Sequence, residues 1–207
     1  MKYLSIIAAI LFTSMWSSPS MAQRFPSEIW HEGKLVLLDN DTLRGDIKYD
    51  LENNLIQIKS GKRVEAYSGR KILFFEIYDT TIGDYRQFYA LPYDISGSNY
   101  RAPVLFEVLH EGKISLLTRE AVQYQTINSG PTYFGGPRTR IVLVYDFYFL
   151  DNEGKIERFN KRKKDLLFYL RKKSNEIKKY IKDNNLKVDS KRDLARIIAY
   201  YNSLIST

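Results

Sequence analysis

The sequence predicts an α+β protein, in which an antiparallel β-rich body (a meander, sandwich or open barrel) precedes a C-terminal segment of about three short helices. Period-two alternation dominates from Glu28 to Phe159, Glu-Gly steps recur between candidate strands, and beyond Phe159 the apolar spacing becomes helical. The 207 residues are 44% apolar and 14% aromatic, enough to bury one sizeable core, and too aromatic for a disordered tail. The absence of cysteine argues against a disulfide-stapled mini-protein, a cysteine zinc finger, an iron–sulfur protein, a thiol enzyme and a Cys-anchored lipoprotein.

The N-terminus has the three-part pattern of a secretory signal. Lys2 gives a positive start, Tyr3 to Trp16 is mostly apolar, and Ser20-Met21-Ala22 offers small residues before a cut. The apolar run is short of the roughly 20 residues a spanning helix needs, and nothing later reaches that length. The expected divisions are a signal peptide over 1–22, a β-rich domain over 23–159 and a basic helical segment over 160–207 packed on it. The mature chain is expected to be periplasmic, or extracellular and associated with the outer envelope.

The strands follow from alternation. Leu43, Ile47 and Tyr49 share one face against Arg44, Asp46 and Lys48; Ile56 and Ile58 alternate with Gln57 and Lys59, and Val64 and Ala66 with Arg63, Glu65 and Tyr67. Val104, Phe106 and Val108 alternate with Leu105, Glu107 and Leu109, whose largely apolar second face suggests burial on both sides. Ile141, Leu143, Tyr145, Phe147 and Phe149 share a face in the most β-prone segment, Arg140 to Leu150. Three similar pieces, His31-Glu32-Gly33-Lys34-Leu35, His110-Glu111-Gly112-Lys113-Ile114 and Asn152-Glu153-Gly154-Lys155-Ile156, read as hairpin turns whose glycines take positive φ. Asn40-Asp41 and Ser60-Gly61 end further strands, giving about nine or ten short ones.

Helical spacing follows. Asn160 is placed to cap a helix carrying Leu166, Leu167 and Leu170, and Ser174 a second with Ile177, Tyr180 and Ile181. Asn184-Asn185 separates that helix from a third. There, Ser190 and Asp193 resemble a capping box before the stripe Leu194, Ile197, Ile198 and Tyr201.

Charge is divided unevenly. Residues 155–207 hold 16 Lys and Arg against 6 Asp and Glu, a net of +10, whereas the rest holds 16 against 18. The densest blocks are Lys161-Arg162-Lys163-Lys164 and Arg171-Lys172-Lys173, followed by Lys178, Lys179 and Lys182. An amphipathic helix needs a wet face, and lysine serves it. The same blocks also suit an anionic envelope component or an acidic protein partner; nucleic acid is not expected, given the export signal and the absence of an RNP-like or zinc-finger motif.

Chemistry is hard to find in the residues. His31 and His110 would supply metal ligands only if their turns met in space; otherwise they are polar residues at hairpin ends. No G-x-S-x-G, H-E-x-x-H, phosphate-loop or dinucleotide pattern is present, so no catalytic residue, metal or cofactor is assigned. The stretch Thr126 to Thr139, with Tyr133, Phe134 and Arg138, reads as a long loop suited to stacking on sugars or peptides, or to folding back as a lid over the sheet edge. Ser96 to Pro103 adds Tyr100 and Arg101.

The order of features, namely the signal, Asp41-Thr42-Leu43, the aromatic Tyr145-Asp146-Phe147-Tyr148-Phe149-Leu150 and the tail ending Tyr200-Tyr201-Asn202-Ser203-Leu204, resembles uncharacterised exported proteins of the Bacteroidota. The resemblance covers nearly all of the mature chain and implies no activity. It does imply candidate O-glycosylation at Asp41-Thr42-Leu43 and Asp79-Thr80-Thr81.

The expected function is a non-enzymatic binding or interaction module at the envelope. Its candidate contact residues are Lys161, Arg162, Lys163, Lys164, Arg171, Lys172, Lys173, Tyr133, Phe134 and Arg138. A carboxylate-dependent hydrolase of envelope or dietary polymers and a structural accessory subunit are the alternatives.

Overall fold

The computed structural model describes residues 25–127 and 138–205. Ten strands form one antiparallel sheet: β1 (His31–Leu37), β2 (Thr42–Asp50), β3 (Leu55–Ser60), β4 (Arg63–Ser68), β5 (Ile72–Asp79), β6 (Asp84–Tyr93), β7 (Ala102–His110), β8 (Ile114–Ile127), β9 (Arg138–Asp151) and β10 (Ile156–Phe159). Three helices follow, α1 (Lys163–Tyr169), α2 (Ser174–Asp183) and α3 (Lys191–Ile205). The α+β expectation holds, although β8 and β9, at 14 residues each, are not short. Among the described residues no helix is long and apolar enough to cross a membrane. The expected signal peptide lies outside the described residues.

The spatial order is β4-β3-β2-β1-β5-β6-β7-β8-β9-β10. β1 to β4 meander outward, the chain turns through Gly69–Lys71, and β5 returns to the free edge of β1. The sheet then curls on itself. Tyr49 on β2 hydrogen-bonds Glu120 on β8 at 2.5 Å. Five strand spacings of about 4.8 Å would hold these strands about 24 Å apart in a flat sheet, so the sheet is an open barrel.

Two glycines let neighbouring strands approach closely. Gly33 and Gly45 face each other across β1 and β2, and a Cβ on either would lie 2.2 or 2.3 Å from a carbonyl oxygen, that of Glu76 or Lys59. This corrects the expectation for His31–Leu35, which lies inside β1 and is not a turn. The other two pieces do join strands, but only Gly154 adopts positive φ (80°) and Gly112 does not.

A second device closes the curl. β7 and β8 pair only from Glu107 to His110, and beyond that point they splay. The β2–β3 turn enters the gap: the Leu105 amide donates to Asn54 Oδ1 at 3.1 Å, and Arg119 donates to Leu105 O at 2.8 Å and to Asn54 Oδ1 at 3.1 Å. Arg119 also donates to Leu51 O. Side chains thus satisfy the Leu105 backbone groups that a ladder would otherwise have used.

The inward faces of the strands build two apolar clusters. Leu35, Ile47, Ile56, Ile58, Phe75, Ile77, Phe88 and Leu105 fill the barrel end. Leu116, Phe147, Phe149 and Phe159 meet Leu166, Leu170, Ile177, Ile181, Leu194, Ile197, Ile198 and Tyr201, so the helices and sheet share a core at the β8–β10 end. On the opposite face, Tyr93, Phe106 and Tyr148 pack edge to face with centroids 5.0 to 5.6 Å apart.

The helix stripes are buried as expected, but two caps differ. α1 begins after Arg162 and α2 after Lys173, neither with a side-chain cap, so Asn160 and Ser174 do not cap. Ser190 does: its Oγ accepts from the Asp193 amide at 3.4 Å, whereas Asp193 accepts from the Lys187 amide at 3.1 Å and not from Ser190. Asn202, buried on α3, binds both backbone groups of Ile114, its Oδ1 taking the amide at 3.1 Å and its Nδ2 giving to the carbonyl at 2.8 Å.

Candidate functional site

Between the two apolar clusters lies a buried set of charges. Arg86 is inward on β6 because Phe88, two residues on, is inward, and alternation likewise turns Glu107 to the Leu105 face and Glu120 to the Leu116 face. Asp79 ends β5, and Lys191 opens α3. Arg86 Nε and Nη2 grip Glu107 at 3.0 and 2.7 Å; Nη2 also donates to Glu120 at 2.8 Å, and Nη1 to Asp79 at 3.0 Å and Tyr49 Oη at 2.8 Å. Lys191 adds a bond to Glu107 Oε1 at 2.7 Å.

Burial works against the Arg86 charge, but Glu107, then Tyr49 and Glu120, outweigh it and hold the guanidinium above its ordinary value. Burial raises the Tyr49 phenol far beyond its ordinary range, with Glu120 adding to the shift and Arg86 opposing it. Burial also works against an ionised Asp79, yet bonds from Thr81 and Arg86 win and hold its carboxyl below the usual aspartate value. His31 stands beside them on β1, its Nε2 donating to Pro26 O at 2.7 Å. Its Nδ1 lies 4.0 Å from Asp79 Oδ1 without a hydrogen bond among the described residues.

Tyr49 and Glu120 also line a cleft of about 380 Å³, with Leu51, Leu55, Val122 and Leu143 as apolar wall and Lys48, Asp50 and Glu52 among its polar lining. Glycoside hydrolysis asks for two carboxylates working across a gap. Here Asp79, Glu107 and Glu120 are each bonded to one guanidinium, an arrangement that holds charge in place and joins β2, β5, β6, β7, β8 and α3.

The basic blocks divide into inward and outward groups. Lys161 is half-buried and leans on β9, its Nζ 3.8 Å from Asp146 and 5.6 Å from the Phe147 ring centroid. Arg162 pairs with Asp165 at 2.6 Å, and Lys173 with Glu176 at 3.4 Å. Lys163, Lys164 and Lys172 are exposed without a charged partner among the described residues. Arg171 is also exposed and places its guanidinium 6.0 Å from the ring of Phe168. Phe168 is 72% exposed and lies between two surface grooves.

The proposed recognition loop is shorter than expected. Thr126 pairs with Thr139 and Ile127 with Arg138, so both ends belong to strands, and Tyr133 and Phe134 lie outside the described residues. Tyr100 is 62% exposed on a turn held by Asp94, whose carboxylate accepts from the amides of Gly97, Ser98 and Asn99. Among the described residues no three His, Asp or Glu side chains are arranged so that they could hold a metal ion, and His31 and His110 occupy different strands, β1 and β7.

The Arg86 cluster was missed by sequence reasoning, although a signal existed: Arg86, Glu107 and Glu120 each fall on the apolar parity of their strand. Phe168 was also missed, because it stands outside the Leu166–Leu170 stripe that fixes the buried face of α1. Comparison with family models, curated proteins and solved structures returns no match.

Proposed function

We propose that this chain is an exported, non-enzymatic contact protein of the cell envelope, and that it docks on an anionic lipid surface through α1 and the turn after it. The observation that carries the reading is Phe168, a large apolar ring exposed between Lys164 one turn before it and Arg171 and Lys172 one turn after it. A ring in that setting can enter the headgroup layer while the cations stay at phosphate level. The N-terminal signal pattern and the excess of +10 in residues 155–207 agree with it.

The magnitude fits reversible attachment. Near an anionic membrane each Lys or Arg contributes about 1 kcal/mol, so Lys163, Lys164, Arg171 and Lys172 give about 4 kcal/mol. Burying the ring adds about 2 kcal/mol. The sum of about 6 kcal/mol corresponds to an apparent Kd of tens of micromolar, which salt should weaken.

The test is co-sedimentation with phosphatidylglycerol-containing vesicles and with purely phosphatidylcholine vesicles, at low and high salt. The expected result is binding to the anionic vesicles alone, lost at high salt, with Phe168→Ser and the quadruple neutralisation of Lys163, Lys164, Arg171 and Lys172 each reducing it. Equal retention by both vesicle types, or by the variants, would overturn the proposal.

A further inference from the structure

The β8–β9 hairpin runs 14 rungs, from Ile114↔Asp151 to Ile127↔Arg138. Its neighbours stop early: β7 reaches only Thr118 of β8, and β10 only Phe147 of β9. Among the described residues, the nine rungs from Arg119↔Asp146 outward therefore have no third strand, and beyond Arg119 and Glu120, which the β2–β3 turn and Tyr49 hold, they form a two-stranded ribbon. Val122 and Tyr124 face the same side as their partners Leu143 and Ile141, with exposures of 41% for Val122, 74% for Tyr124 and 41% for Ile141.

A lone two-stranded ribbon is marginal in water, and an open strand edge is a template for another strand. Protein edges are commonly guarded by lysine, other charges, proline or a bulge. The β8 segment Ala121-Val122-Gln123-Tyr124-Gln125-Thr126-Ile127 has no charge and no proline, whereas the β9 edge carries Arg140 and Asp146. On a chain of net charge +8, the β8 edge is a place where two identical molecules can meet without opposing like charges.

We infer that the outer edge of β8 pairs antiparallel with the same edge of a second copy, about a two-fold axis at Tyr124. Such an interface is self-complementary: Tyr124 opposes its own copy and Val122 opposes Thr126. The two ribbons become one four-stranded sheet. Its apolar face gathers both copies of Val122, Tyr124 and Ile141, which are exposed on the ribbon alone, and of Leu143, which lines the cleft beside it. This surface is separate from Phe168 and does not depend on the lipid reading.

The experiment is sedimentation velocity of the whole protein, without lipid, up to about 100 µM, with far-UV circular dichroism as the check of folding. A concentration-dependent dimer is expected. Tyr124→Lys and Tyr124→Glu, each placing like charges across the axis, should weaken it at least about tenfold, and an equimolar mixture of the two should recover it. Should either change at Tyr124 disturb folding, the double changes Gln123→Lys/Gln125→Lys and Gln123→Glu/Gln125→Glu, at exposed sites that oppose each other across the axis, provide the same test. A monomer throughout the concentration range, a dimer untouched by these charges, or failure of the mixture to recover it would overturn the inference.

Discussion

Lys191 Nζ, in the first turn of α3, lies 2.7 Å from Glu107 Oε1 on β7, and Glu107 in turn is held by two nitrogens of Arg86. The helical layer and the barrel are thus joined by a charged chain as well as by apolar packing. The two cations differ in what their loss leaves behind.

Arg86→Met strands Asp79, Glu107 and Glu120 without their shared cation. Removing one partner from a buried ion network costs about 3–5 kcal/mol, and this site holds three carboxylates. Lys191→Met leaves Glu107 still paired with Arg86 and should cost about 1 kcal/mol. Urea unfolding of the two variants checks the ranking, and equal losses would contradict it.

Acid sensitivity should trace in part to Asp79. Its folded-state carboxyl is held below the ordinary aspartate value, so its contribution is present above the unfolded pKa and disappears as pH falls through the folded one. The urea midpoint of the wild type should therefore drop on going from about pH 6 to about pH 3, and more steeply than that of Asp79→Asn. Parallel curves would remove Asp79 as a cause.

Asn202 acts as a strand partner supplied by a helix. Asn202→Ala removes both of its bonds to Ile114 and leaves an amide and a carbonyl of β8 short of a partner, at a cost of about 2 kcal/mol. Hydrogen exchange at Ile114 should accelerate in this variant, more than at Leu116 two residues further along β8. Uniform acceleration along the strand would point to global loosening in its place.

Much of the fold was legible because its signals are local. Alternation at Leu43–Tyr49 and Arg140–Leu150 and the stripe Leu194–Tyr201 each record one buried face, and the structure buries most of those residues. Ile141 is the instructive exception: its parity is right, but the sheet beside it ends first. The return of β5 to β1 left no comparable mark, since it depends on which edge is open after four strands have formed. Gly33 resembled a turn glycine because close backbone approach and tight turning ask for the same residue. The Arg86 cluster joins positions 7 to 34 residues apart, and only the curl of the sheet decides that Asp79, Glu107 and Glu120 converge on one group.

The position of β1 between β2 and β5 has a consequence for how the polypeptide matures. Its first ladder can close as soon as Ile47 has emerged, but its second must wait for Ile72 to Ile77. Until then Leu35 and Val36 lie on an incomplete half-barrel with an unoccupied backbone edge, the kind of intermediate that holdase chaperones shield. A chain interrupted between β4 and β5 would thus be a sticky fragment rather than a smaller version of the whole.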